Sequence, residues 1–226
     1  MKKSMSILGL FLAVCLCAHG PARGATKGDG DVIVEKSRIV LEEMMLSGDQ
    51  GIPRYLIKKC EGLVILPDML KGGFVVGGSY GKGVLLARRD GSWVGPTFVY
   101  IGAGSLGFQI GLQSTDLILV IMGRKAVDSF LQNKYKLGAD AAIAAGPVGA
   151  QATAATEIML KGGIFSYSRS KGLFAGVSLE GAAMGSHFDL NRAYYGTTSS
   201  PTSILHEHLD TPPSGKRLIE YLDKLK

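Results

Sequence analysis

Cysteine is almost absent from the body of this chain: Cys15 and Cys17 sit in the first two dozen residues, and only Cys60 lies beyond them. No disulfide can close within residues 25–226, so a domain there must hold through its core and its hydrogen bonds. Charged residues are sparse as well, at 19% against the roughly 25% of ordinary domains, so single cations and their placement carry more weight than usual. Catalytic constellations are missing. The sequence has no Gly-x-Ser-x-Gly elbow, no histidine–acid pairing that suggests a triad, and no Gly-x4-Gly-Lys-Ser/Thr phosphate loop. These absences point away from enzymes, and no cofactor is expected.

The start of the chain reads as a targeting segment. Lys2 and Lys3 precede Met5 to Ala18, an apolar run broken only by Ser6 and Gly9, and small residues follow. This is the layout of a secretory signal peptide, and it is too short for a membrane span. Ala22-Arg23-Gly24 suits a cut ahead of Ala25. The rival is a lipoprotein: Leu12-Ala13-Val14-Cys15 approaches a lipobox, with valine where glycine, alanine or serine is expected. Loss of Lys2, Lys3 and Arg23 lowers the formal net charge from +6 to +3. So mild a surplus points away from nucleic-acid binding. The product is expected to be exported, periplasmic or secreted, or associated with an outer membrane.

What the chain has in excess is glycine. Of 32 glycines, 24 fall between Gly62 and Gly196, interleaved with strand formers, where bends, bulges or close backbone approach would make them useful. Apolar spacing predicts a helix over Asp31–Leu46 with Asp31 as N-cap, and a short helix from Pro53 to Cys60. Strands are expected at Leu63–Leu66 (ended by Pro67), Gly73–Tyr80, Val84–Arg88, Pro96–Ile101, Leu106–Leu112 and Leu117–Met122, with a hairpin turn at Arg89-Asp90-Gly91-Ser92. Connections this short require antiparallel pairing. A helix over Lys125–Lys136 follows, then strands at Ile164–Ser168, Leu173–Leu179 and Ala182–Phe188, a loop at Thr197–Pro201, and a terminal helix capped by Ser214. The expected fold is α+β: a strongly curved, mainly antiparallel Gly-rich sheet, barrel-like, flanked by N-terminal, middle and C-terminal helices.

Two motifs invite chemistry and lack its context. Gly102-x-Gly104-x-x-Gly107 matches a dinucleotide fingerprint, yet strand residues follow where a helix must begin. His206-Glu207-His208, with Asp210 and His187-Phe188-Asp189, is short of a full metal ligand set. What remains is a set of cations at strand ends: Lys71, Lys82, Arg88, Arg89, Lys161, Arg169 and Lys171. Beside exposed backbone N–H groups such cations suit phosphate or anionic headgroups; the bland alternative is solvated charge that discourages edge pairing. Lys71-Gly72-Gly73-Phe74…Lys82-Gly83-Val84 and Lys161-Gly162-Gly163-Ile164…Lys171-Gly172-Leu173 echo each other. Duplication and chance both account for the echo; if the two hairpins lay side by side, their cations would converge.

Several further segments occur in one order: Lys71-Gly72-Gly73-Phe74, Trp93-x-Gly95-Pro96, Gly102-x-Gly104-Ser105-x-Gly107-x-Gln109-x-Gly111, Lys136-Leu137-Gly138-Ala139-Asp140, Ala145-Gly146-Pro147-Val148-Gly149, Tyr167 to Gly181, and Asn191-x-x-Tyr194-Tyr195-Gly196. Together they resemble the SYLF family over roughly residues 51–205. The resemblance implies a lipid-binding module, with phosphoinositides as ligands of eukaryotic members and actin binding in some fungal ones. The organisation expected is a signal peptide over 1–24, a leader and helix over 25–50, the SYLF-like domain over 51–205, and a tail with a helix over 206–226. The partners expected are an anionic phospholipid or membrane surface, with an envelope protein as the alternative, and no nucleic acid. An enzyme acting on lipid or glycan has no residue constellation behind it.

Overall fold

Helix α1 (Lys27–Met45) starts four residues before the expected Asp31, because Thr26 is the better cap. Thr26 Oγ1 accepts the Asp29 N–H at 3.2 Å, and the Asp29 carboxylate accepts the Thr26 N–H at 2.8 Å, a reciprocal capping box. Asp31 sits inside the helix and accepts a hydrogen bond from Ser214 at 2.6 Å. The structure is a computed structural model that describes residues 24–73, 76–106, 111–131, 135–140, 142–148, 162–171, 179, 181–196, 200–206 and 209–225. The signal-peptide segment, Lys161 and all but the last residue of the strand expected at Leu173–Leu179 therefore lie outside the described residues.

After α2 (Arg54–Lys59), which follows Pro53 as expected, four long strands form the centre: β1 (Gly62–Gly73), β2 (Val76–Arg89), β3 (Ser92–Leu106) and β4 (Gly111–Ile121). Pro67 does not end β1. One extra residue is absorbed between Leu66 and Met69, a bulge, and the strand continues; Asp68 N–H, with φ at 51°, donates to Asp116 Oδ1 at 3.0 Å. The two strands expected at Gly73–Tyr80 and Val84–Arg88 are one strand, since Gly81 and Gly83 stay in register with Ile101 and Val99 of β3. The hairpin turn at Asp90-Gly91 forms as expected, with both residues at positive φ, 51° and 80°.

The expected helix over Lys125–Lys136 is shorter, α3 (Arg124–Phe130), and gives way to the small strand β5 (Tyr135–Lys136). Then come β6 (Ile143–Ala145), β7 (Ile164–Lys171), β8 (Ala183–Ser186), α4 (Phe188–Tyr195), α5 (Pro201–His206) and α6 (Pro213–Asp223). The sheet order is β5-β8-β3-β2-β1-β4-β7-β6, antiparallel except for β6 with β7, so the mixed α+β fold with a curled antiparallel sheet is as expected.

Side chains alternate between two cores. On one face Leu63, Ile65, Val84, Leu86, Phe98, Ile118 and Val120 pack with residues of α1, α4 and α6. On the other, Val64, Leu66, Leu85, Val99, Leu117 and Leu119 pack with α3 and Leu205 of α5. Each such aliphatic contributes about 1.5–3 kcal/mol when fully buried.

Helix α4, unassigned from sequence, explains the Asn191-x-x-Tyr194-Tyr195-Gly196 motif. Asn191 Oδ1 accepts from Phe98 N–H at 2.8 Å and Thr97 Oγ1 at 3.1 Å, stitching the helix to β3. Tyr195 Oη donates to Pro96 O at 2.7 Å, and Gly196 ends the helix at φ 70°. Ser214 is not the cap of α6. That position falls to Pro212, and Ser214 is buried between Asp31 and Tyr194 Oη, 2.7 Å away.

Candidate functional site

The strand pairings spread the described cations along the central sheet, with Lys71 and Lys171 towards one end, Arg88 and Arg89 at the other, and Lys82 and Arg169 between them. Lys71 lies opposite Ser79, and Arg88 is nine positions further along β2, about 30 Å at strand rise. Lys171 lies opposite Ser114, which is opposite Leu70, so its backbone shares an end with Lys71. The echoing segments are thus not neighbours: β4 separates β7 from β1.

Three of the arginines are committed to the fold. Arg88 lies 4.5 Å from the Trp93 ring centroid and donates to Ile57 O at 3.0 Å. Arg89, one residue on and therefore on the other face, pairs with Asp128 at 3.1 Å and meets His206. Arg169 pairs with Glu43 of α1 and with Asp116, at 3.0 Å, and its guanidinium pKa is raised by those carboxylates. Asp116 is 1% exposed, so Arg169 is the charge that keeps that carboxylate tolerable in the core.

Two lysines differ. Among the described residues neither Lys71 nor Lys82 has an ion pair, and Lys82 is exposed. Lys82 opens onto a cleft of about 660 Å³ whose lining also includes Asp29, Val32, Ile33, His187, Asp189 and Leu190. Burial, then the Lys82 charge, lower the His187 pKa from its ordinary value, and the ring's Nδ1 accepts the Leu190 N–H at 3.5 Å as the N-cap of α4. Among the described residues no group of histidine, cysteine and carboxylate side chains could hold a metal ion. No described helix is long and apolar enough to cross a membrane. Cys60 is fully buried, and desolvation pushes its thiol up to about 12, which makes it inert as a nucleophile.

Sequence reasoning weighed cations and passed over three exposed apolar side chains beside them: Leu70, Tyr80 and Tyr100, at 50%, 48% and 39% exposure. Leu70 was hidden by the bulge. Without the extra residue it would share the buried face of Val64 and Leu66; the shift hands that face to Met69 and turns Leu70 outward. A proline within a strand pattern was the available signal.

A model of the family described as Ysc84, "Las17-binding protein actin regulator", matches residues 102–225. The chain is 36% identical over 188 residues to protein YSC84 of Saccharomyces cerevisiae, covering 81% of this chain and 40% of that one. It is 35% identical to LAS seventeen-binding protein 3 of the same yeast, over 81% of this chain and 41% of the relative. It is 33% identical to the SH3 domain-containing YSC84-like protein 1 of Bos taurus, over 77% and 52%. The chain thus spans about two fifths to one half of the length of these relatives, one of which is named as a binding protein and none as an enzyme.

Proposed function

The chain belongs to the Ysc84, or SYLF, family, and from that premise we propose that it is a non-enzymatic, exported module that binds anionic phospholipid surfaces. The observation that carries this reading is the division among the cations. Arg88, Arg89 and Arg169 satisfy internal partners, whereas Lys71 and Lys82, in the Gly-rich half of the sheet, make no ion pair with a described residue. Cations already neutralised within the fold attract a headgroup weakly; unpaired ones keep their field. The reading therefore rests on Lys71 and Lys82 in place of Arg88, Arg89 and Arg169; the two lysines stand on opposite faces of the sheet, since Lys71 is one residue from Leu70 and Lys82 is two from Tyr80, the partner of Leu70.

Each lysine near an anionic bilayer contributes about 1 kcal/mol. Replacing Lys71 and Lys82 by glutamine should weaken binding to phosphatidylglycerol vesicles about 30-fold. Circular dichroism should be unchanged, and Arg88→Gln should leave vesicle binding intact. Equal binding by the double variant would overturn the assignment. The relatives named for binding Las17 favour a second reading, a protein partner. No vesicle binding by the wild-type chain, with a discrete cross-linked adduct in envelope extracts, would select it.

A further inference from the structure

Scattered exposed apolar residues are ordinary on a protein surface; Leu70, Tyr80 and Tyr100 are not scattered. Leu70 is the direct cross-strand partner of Tyr80, and Tyr100 is the direct partner of Lys82, two residues along the same strand and face. The four side chains thus form one row across β1, β2 and β3, on the face that α1 covers elsewhere. Burial raises the phenol pKa of Tyr80, and the Tyr100 ring adds to that shift, so the two rings share one environment. Tyr100 leans over Gly185 of β8, where an added Cβ would fall 2.8 Å from its Oη. Val32 of α1, 57% exposed, borders the row across the Lys82 cleft.

The chemistry of this row is specific. Tyrosine and lysine both carry an apolar body with a polar tip, the pattern enriched where one end of a side chain is apolar and the other wet. Of the nearby carboxylates, Asp68 pairs with Lys36 at 2.7 Å and Asp29 is held in the capping box, while Asp189 of α4 lines the Lys82 cleft from the other side. Within the row itself the only ionisable group charged at neutral pH is Lys82, which makes no ion pair with a described residue, so the row carries a positive charge complementary to an anionic bilayer, and the carboxylates beside it stand on α1 and α4.

Resting on the membrane reading above, we infer that Leu70, Tyr80 and Tyr100, with Lys82 among them, are the membrane-contacting surface. Their apolar bodies seat in the interfacial layer of an anionic bilayer while the lysine meets phosphate. Binding then has two parts, one screened by salt and one that persists in it. The bulge at Asp68 and the lean of Tyr100 on Gly185 serve to present this row.

The test uses phosphatidylglycerol vesicles, some carrying brominated acyl chains, at low and high salt. In the Tyr80→Trp chain, the new indole should blue-shift on vesicle addition and be quenched by the brominated lipid. A Ser92→Trp chain, with its probe at the opposite hairpin, should show neither effect. The Leu70→Ser, Tyr80→Ser, Tyr100→Ser chain should lose the salt-resistant fraction of binding while its circular dichroism is retained. Vesicle binding without shift or quenching of the residue-80 probe, or with equal quenching of the residue-92 probe, overturns this inference and leaves the membrane reading standing. No binding by the wild-type chain at either salt overturns both.

Discussion

The four central strands end in two different ways. At the end holding Arg88, Arg89 and the Asp90-Gly91 turn, charge is spent inward: Arg89 on Asp128, Arg124 on Glu61 at 2.6 Å, Arg88 on the Trp93 ring. Glycine there answers to packing, since a Cβ on Gly62 would meet Val127 at 2.7 Å. At the end holding Lys71 and Tyr80, Gly78 and Gly104 are exposed: a Cβ on Gly104 would meet nothing within 4 Å, and one on Gly78 would make only an ordinary contact with Ala103 O at 3.4 Å. The comparison teaches that neither glycine nor lysine has one meaning in this fold. The first end is built to be closed, and the second presents side chains outward.

The sharpest way to break that comparison is to add one methyl group on each side of it. A Cβ on Gly83 would lie 1.9 Å from Ile65 O, a backbone atom that cannot step aside without parting β2 from β1. Gly83→Ala should destabilise the fold by about 3 kcal/mol or more. Gly104→Ala, with nothing within 4 Å, should change stability by under about 1 kcal/mol, in the stabilising direction if at all. Urea denaturation of both variants decides it: equal losses would mean that the glycines of the open end are also packing residues.

The next effect concerns the device that joins the two halves. Asp116 holds the β1 bulge through Asp68 N–H and anchors Arg169 at 3.0 Å, all in a 1%-exposed position. Asp116→Asn keeps the shape and removes the charge, and should cost about 2 kcal/mol in urea denaturation, the usual worth of hydrogen bonds to a buried carboxylate. Lys36→Gln, which breaks the exposed Lys36–Asp68 pair, should cost under about 1 kcal/mol. A reversed order would place the control of the bulge in α1 and not in the sheet.

Much of this architecture was legible in the residues. The Asp-Gly turn, the short connections and the valine- and leucine-rich runs fixed an antiparallel sheet because each is a local signal. What escaped was non-local. Pro67 reads as a strand end unless Asp116, distant in sequence, is known to catch the freed backbone at Asp68. Thr26 outcompetes Asp31 as a cap only because Asp29 closes the box, while Asp31 is drawn to Ser214, 183 residues away. The site was half legible for the same reason. Cations stand out in a sequence this poor in charge, but whether each has a partner is decided by the face and end to which pairing sends it. The exposure of Leu70 depends on a one-residue shift that no periodicity announces.

The smallest expected effect lies where the two halves meet, beside Lys82. His187 caps α4 through Nδ1, which can accept only while that nitrogen is unprotonated. Burial, with the Lys82 charge behind it, holds its pKa below the ordinary 6.5, and Asp189 offsets only part of this. The unfolded chain therefore takes up the proton first as the pH falls. Stability from this residue is full above about pH 6.5 and declines as the solution is acidified below it. His187→Asn retains a cap acceptor and does not titrate, so it should flatten the decline between pH 7 and 5 by about 1 kcal/mol at most, the usual worth of one cap. The comparison of urea midpoints at the two pH values is the measurement. An unchanged slope would mean that the cleft beside Lys82 is wet enough to solvate the charged ring, and would assign that cleft to the open half of the molecule.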